Sequence, residues 1–243
     1  MTFDQTWVSC IGIAMEHLFE ISVQNLREKI MLMASQAGVA VNLAMQATIH
    51  RDCDLALQVK RDDALIDQQE VAIDEFAIHL LTQAPLAADL RFITAALRIT
   101  QNLERVGDEA AKIAKRAFEL AQEPALNLRL DFLVMATDTL SMFNDALDAF
   151  VHGDPAAARL LIPRDRQLDE RYRQMEASLV RHMTQHSKDI VSCLRWLVVA
   201  KSLERIGDHA TNIAEDVVFL WEAQDIRHSG IKNQLTPASI SAV

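Results

Sequence analysis

Structure breakers are scarce in this chain: six glycines and five prolines in 243 residues. Aromatic residues are few as well, at nine Phe, three Trp and one Tyr. Frequent tight turns are therefore not on offer, and an apolar content carried by Ala, Leu, Ile, Val and Met favours helices. Cysteine is limited to Cys10, Cys53 and Cys193. They are odd in number, far apart and without a CxxC, which excludes a disulfide framework and a zinc motif and fits reduced cytosolic thiols. Clusters of Lys and Arg are missing and the net charge is −10, so nucleic-acid binding is set aside. That charge attracts cations or basic patches on partners instead. No basic region opens the N-terminus, and Asp4 and Glu16 interrupt its apolar residues, which argues against a signal peptide. No stretch reaches the roughly 18 uncharged apolar residues of a membrane span, so direct membrane insertion is not expected. The most apolar late segment, Val191 to Ala200, contains Arg195. GxGxxG, Walker and GxSxG motifs are also missing. So is the paired ExxH of ferritin-like di-iron helices.

What the chain does have is a helical cycle that runs twice. Residues 1–16 are weakly patterned and read as an appendage. Leu18, Ile21, Leu26, Ile30, Met33, Val41 and Met45 pattern a long helix from His17 to His50. Asp52 can cap a short helix, and another helix runs from Asp63 to Thr82. A further long helix covers Ala87 to Gln122. The second cycle has a long helix over Ala125 to Val151, a break at His152-Gly153-Asp154-Pro155, and a short helix ending near Pro163. Helices from Arg164 to Gln185 and from Lys188 to Ala223 complete it. His50 and Asp52 correspond to His152 and Asp154, and Asp63 and Asp67 to Asp165 and Asp169. Leu103-Glu104-Arg105-Val106-Gly107-Asp108 returns as Leu203-Glu204-Arg205-Ile206-Gly207-Asp208. The expected fold is all-α: two pseudo-symmetric three-helix bundles, each decorated by a short helix. The first repeat spans 17–123, the second 124–223, and 224–243 is a tail.

The chemistry lies in the carboxylates. Glu104 and Asp108 are four apart and share a helix face, as do Asp63 and Asp67 on the preceding helix. An antiparallel turn between these helices brings four acids to one groove. Asp165, Asp169, Glu204 and Asp208 make the matching set. At about 100° per residue, Leu103, Gly107, Ala110 and Ala114 form a packing stripe, with Glu104 and Asp108 beside it at the groove rim. Such oxygen-rich sets suit Mg, Mn or Fe, or Zn if His209 joins. The alternative is a solvated acidic face with no ion on it. On the same wheel Arg105 points away from Glu104 and His209 away from the groove, leaving His209 as a residue for a partner. Gly107 and Gly207 inside long helices imply close helix approach or room for a ligand. His50 and His152 read as loop residues. Met31, Met33, Met45, Met135, Met142, Met175 and Met183 read as packing.

These strings resemble a known family. Leu103 to Asp108, and Leu203 to Glu215 reading LERIGDHATNIAE, look like the paired signature of PhoU proteins, and Val71-Ala-Ile-Asp-Glu75 and Asp89-Leu-Arg91 are also similar. The resemblance covers about His17 to Glu222. It implies a PhoU-like tandem repeat of three-helix bundles, frequent homodimers, and multinuclear metal on the ExxxD/DxxxD carboxylates Asp63, Asp67, Glu104, Asp108, Asp165, Asp169, Glu204 and Asp208. Iron is its first choice of metal, with Mn, Mg or Zn as alternatives. It further implies a non-enzymatic negative regulator of the phosphate-starvation response, coupling the ATPase subunit of the phosphate-specific ABC transporter to the sensor histidine kinase. Such a protein would be cytoplasmic, reaching the inner membrane only through those partners. The runner-up is a metal-dependent phosphohydrolase using the same carboxylates. One departure separates the repeats: Glu109 and Lys112 stand where the second motif has His209 and Asn212, which implies unequal sites.

Overall fold

The computed structural model describes residues 4–84, 86–128 and 130–227, with side chains from residue 17 onward. Seven α-helices are present among them: α1 (Asp4–His50), α2 (Cys53–Leu81), α3 (Ala87–Ala121), α4 (Phe132–His152), α5 (Pro155–Leu161), α6 (Asp165–Gln185) and α7 (Ile190–Glu222). Short 3-10 turns occupy Ile162–Arg164 and Ser187–Asp189, and the described residues form no strand. Helices α1, α2 and α3 pack on one another as the first bundle. In the second, α4, α5 and α6 all pack on α7. The most extensive helix–helix contact joins α3 to α7, so the two signature helices form the seam between the repeats.

Local chemistry explains the matched helix boundaries inside the two repeats. Asp52 accepts hydrogen bonds from the backbone N–H groups of Asp54 and Leu55, at 2.9 and 3.0 Å. Asp154 does the same for Ala156 and Ala157, at 3.0 and 2.9 Å. These are the expected N-caps, each supplying an acceptor to donors that a helix start leaves open. The residue before each cap is left-handed: Arg51 at φ 55° and Gly153 at φ 63°. Gly153 is suited to that conformation, and a Cβ there would strike Trp221 at 2.5 Å. Arg51 carries a strain penalty of about 1–2 kcal/mol. Its guanidinium offsets it by donating to the carbonyls of Leu120 and Glu123, which ties the turn to the end of α3.

Three elements differ from the expectation. α2 is one continuous helix, not a short helix followed by a longer one. Pro163, which breaks α5 from α6, corresponds to Arg61 in the first repeat, and arginine neither removes an N–H nor clashes with the preceding turn. α4 begins at Phe132, not at Ala125. α1 continues back to Asp4 through the segment read as an appendage. The tail expected at 224–243 lies outside the described residues from 228 onward.

The core is mostly aliphatic, with Phe143 and Phe150 its largest fully buried side chains. Leu26, Ile30, Met33, Val41 and Met45 of α1 are buried as their periodicity requires, whereas Leu18 and Ile21 are exposed. The described part of α1, His17–His50, is long and apolar enough to cross a membrane by length and composition alone. Charged residues interrupt this stretch, so it does not qualify as an uncharged apolar run. Half of its most apolar window is buried in the bundle, as befits a core helix. Of the methionines read as packing, Met33, Met45, Met135, Met142 and Met175 are buried, and Met31 and Met183 pack against the core. His50 and His152 are exposed at helix ends. Cys53 and Cys193 are free thiols.

Candidate metal centre in two acidic grooves

Close packing positions the carboxylates. Leu103, Gly107, Ala110 and Ala114 are all buried, as the expected stripe on α3. A Cβ on Gly107 would lie 2.9 Å from Cδ1 of Ile66 on α2, and one on Gly207 would drive into Leu168 of α6. Both glycines therefore answer to close helix approach. Ile66 and Leu168 correspond in the repeat, so the same knob enters the same gap twice. In the second bundle the Thr139 hydroxyl of α4 also donates to the Leu203 carbonyl at 3.3 Å, fixing α4 against α7.

In the first groove the four expected acids are neighbours. Burial raises the Asp63 carboxyl above its ordinary pKa, and Asp67 and Asp108 push it further. Burial likewise raises Glu104, followed by repulsion from Asp108, against the opposing pull of Arg105, with further repulsion from Glu70 and Asp67. Glu70 is thus a fifth acid of this groove, itself raised by burial and by Asp74 and Asp67. It is not among the four acids expected from the repeat. Its signal was the spacing Asp63, Asp67, Glu70, Asp74, which keeps all four on one side of α2.

The position of Arg105 is a correction. Its Nε lies 3.3 Å from Glu104 and its Nη1 3.7 Å from Asp108, so it does neutralise the groove. The helical wheel fixes where Cβ leaves the helix, but a long flexible stem can fold back over the surface. Lys112 adds a second cation, 3.7 Å from Asp108 and 3.0 Å from Glu109.

The second groove is deeper. Glu204 is buried, not at a rim. One of its oxygens is 2.6 Å from Lys201, while the other, Oε2, is buried without a hydrogen-bond partner. Asp208 is pushed up to about 7, first by burial and then by Glu204, Asp165 and Asp169. The other three expected residues of this set therefore all act on Asp208. Asp169 lies 3.9 Å from the exposed Arg173.

Among the described residues, no three Asp, Glu, His or Cys side chains are already gathered at the spacing of a formed metal site. The donor chemistry nevertheless fits a hard cation, most clearly in the second groove. A buried orphan oxygen and a carboxyl held near neutrality are what a cation would relieve. The first groove fits less well, because Arg105 and Lys112 already occupy its charges.

Between the grooves lies a polar seam. Buried Glu109 of α3 accepts from the Ser202 hydroxyl of α7 at 2.7 Å, from Lys112 at 3.0 Å and from Arg205 at 3.2 Å. Burial raises its pKa, but these three donors outweigh burial and hold it below the ordinary range. The mate of this contact pairs His209 Nδ1 with the Asn102 side-chain oxygen at 2.9 Å. Glu109 corresponds to His209, and Ser202 to Asn102, so one contact appears twice across the pseudo-twofold axis. His209 therefore faces the other repeat, not a partner protein and not the groove ion. Burial lowers its pKa, favouring neutral imidazole.

Fold and site together define a class: a tandem helical-repeat protein with a carboxylate groove in each half and the signature helices packed at the centre. The PhoU domain matches the sequence twice, at residues 30–117 and 132–217. The chain belongs to the PhoU family. It is 35% identical over 227 residues to a phosphate-specific transport system accessory protein PhoU homolog of Pseudomonas putida, spanning 93% of this chain and 89% of that protein. It is 32% identical over 213 residues to the phosphate-specific transport system accessory protein PhoU of Escherichia coli K12, spanning 87% and 88%. The crystal structure of PhoU from Pseudomonas aeruginosa superposes with a TM-score of 0.82 at 35% identity, covering 85% of this chain and all of that one. The phosphate transport system regulatory protein PhoU from Streptococcus pneumoniae gives a TM-score of 0.81 at 26% identity, covering 86% and 99%.

Proposed function

We propose that this chain is a negative regulator of the phosphate-starvation response. It acts as a metal-binding helical adaptor between the ATPase subunit of a phosphate-specific ABC transporter and a sensor histidine kinase, and it modulates phosphate uptake. It works as a homodimer in the cytoplasm and reaches the inner membrane through those partners. The observation that carries this reading is the near full-length similarity to accessory proteins of the phosphate-specific transport system. In the second groove Asp165, Asp169, Glu204 and Asp208 would hold the cation, iron first, then Mn, Mg or Zn. In the first, Asp63, Asp67, Glu104 and Asp108 would hold a second ion more weakly. A bound cation would neutralise the clustered charge and so set how α6 and α7, or α2 and α3, sit at the surface that partners meet. Phosphate status of the transporter would then select which surface the kinase encounters.

One observation favours a second reading. A carboxyl near pH 7 such as Asp208 suits general acid–base work, and a metal can activate water, so a phosphohydrolase is the rival. Two assays separate them. A deletion strain carrying a phosphate-response reporter should stay switched on in high phosphate, and metal-replete protein should hydrolyse phosphate esters negligibly. A normal reporter response, with metal-dependent turnover of about 1 per second or faster, overturns the adaptor reading.

A further inference from the structure

The outward face of α2 carries an exposed apolar row, with Arg61, Gln68 and Glu75 interspersed along it. Leu57 is 40% exposed, Leu65 50%, Val71 58% and Ile78 59%. Ala64 and Ala72 are exposed between them. Leu57, Ala64, Val71 and Ile78 recur every seven residues. Such a row drifts only about 20° per heptad, so it stays on one side of the helix for about 32 Å.

The molecule contains its own control for this face. The corresponding residues of the second repeat are Arg159, Arg166, Arg173 and Val180, with Gln167 and Gln174 in place of Leu65 and Ala72. Two copies of one element thus differ on the same surface. The second repeat carries three arginines and two glutamines there, and the first carries none. Folding of the bundle does not require the apolar set, because the second repeat folds without it. An exposed row of this length marks an interaction surface.

Its charges say what the partner is. The stripe is flanked near its start by Lys60 and Arg61 and near its end by Glu75, all exposed. Reversed upon itself about a midpoint between Asp67 and Gln68, the row matches itself: Leu57 meets Ile78 and Ala64 meets Val71. The same reversal sets Lys60 and Arg61 of one helix beside Glu75 of the other. A parallel arrangement would set like charges together. Self-complementarity on reversal is the requirement of a twofold interface.

We propose that α2 pairs antiparallel with α2 of a second copy of this chain across this face. The proposal rests on the homodimer reading above and assigns its surface. The acids that line the first groove lie on the neighbouring side of α2, against α3, so this pairing would place the two first grooves close together in the dimer.

The test is sedimentation of the full-length chain over a range of concentrations. The wild type should be a dimer, and Val71→Glu should weaken it at least tenfold. Val180→Glu, an exposed valine at the second-repeat counterpart of Ile78, should leave it unchanged, with helical circular dichroism checking that each variant is folded. Lys60→Glu with Arg61→Glu in one chain, and Glu75→Lys in another, should each weaken self-association. A mixture of these two should dimerise where neither does alone. A wild type that is monomeric throughout overturns the homodimer reading and this surface together. A dimer indifferent to Val71→Glu overturns the surface alone. Weakening by Val71→Glu without recovery in the charge-swapped mixture overturns the antiparallel register.

Discussion

Asp208→Asn should stabilise the metal-free protein at neutral and alkaline pH. Burial, and then Glu204, Asp165 and Asp169, oppose the charge of the Asp208 carboxyl and push it from the ordinary 3.8 up to about 7. The folded state therefore keeps a proton that the unfolded chain gives up. Its contribution to stability is intact below about pH 4 and declines as pH rises to about 7, after which it is flat. At about 1.4 kcal/mol per unit, a shift of about three units sets an upper bound near 4 kcal/mol. Partial solvent access and relaxation of the groove reduce this to about 2 kcal/mol. The amide keeps the shape of the acid and cannot ionise. Urea unfolding in chelator should show wild type and Asp208→Asn nearly level at pH 4.5 and the variant ahead by about 2 kcal/mol at pH 8. A divalent cation should reverse the order at pH 8, because it binds the carboxylate and stabilises the state it binds. A variant no more stable than wild type at pH 8 in chelator would refute the argument that this groove is held against its own charge.

Metal analysis of protein purified without an affinity tag should show the second groove binding more tightly, so Glu204→Ala with Asp208→Ala should remove more metal than Glu104→Ala with Asp108→Ala. Unchanged stoichiometry in both would mean that these carboxylates are not the ligands. Gly207→Ala should lower stability by about 1–3 kcal/mol, as overpacking does, with Gly107→Ala milder because a Cβ there meets Ile66 less severely than one at Gly207 meets Leu168; thermal unfolding of both ranks them. Glu109→Ala should cost about 1–3 kcal/mol by orphaning the buried Ser202 hydroxyl and removing the Arg205 contact across the seam, and a loss below about 0.5 kcal/mol would show that the seam contributes little.

The repeat was legible because the same six-residue string and the same cap residues recur, and matched caps end helices in matched places. The quartets followed from i,i+4 spacing on antiparallel neighbours. What was not legible depended on long side chains and on the second bundle. Arg105 leaves α3 on the wrong side of a wheel for Glu104, yet its stem reaches back. His209 was correctly placed off its own groove, but local periodicity does not say that α3 covers that side of α7. Leu18 and Ile21 obey the α1 pattern and remain exposed, since periodicity cannot tell how far along a helix its neighbours extend. Pro163 has no counterpart in α2, and a cap such as Asp52 marks where a helix starts but not how far it runs.

Lys112 touches two acids of different kinds, Asp108 in the first groove and Glu109 in the seam. A cation arriving in that groove would compete with its amine for Asp108. The displaced amine would be left to Glu109, which also holds Ser202 and Arg205 of the other repeat. Occupancy of the first groove would thus be felt by α7 through a single side chain, as a change in how tightly one half grips the other. The second groove has no such messenger, because Asn212 stands where Lys112 does and carries no charge to redistribute. The two halves, alike in outline, would be coupled through the first groove alone, and by linkage the grip on α7 would in turn set how tightly that groove binds.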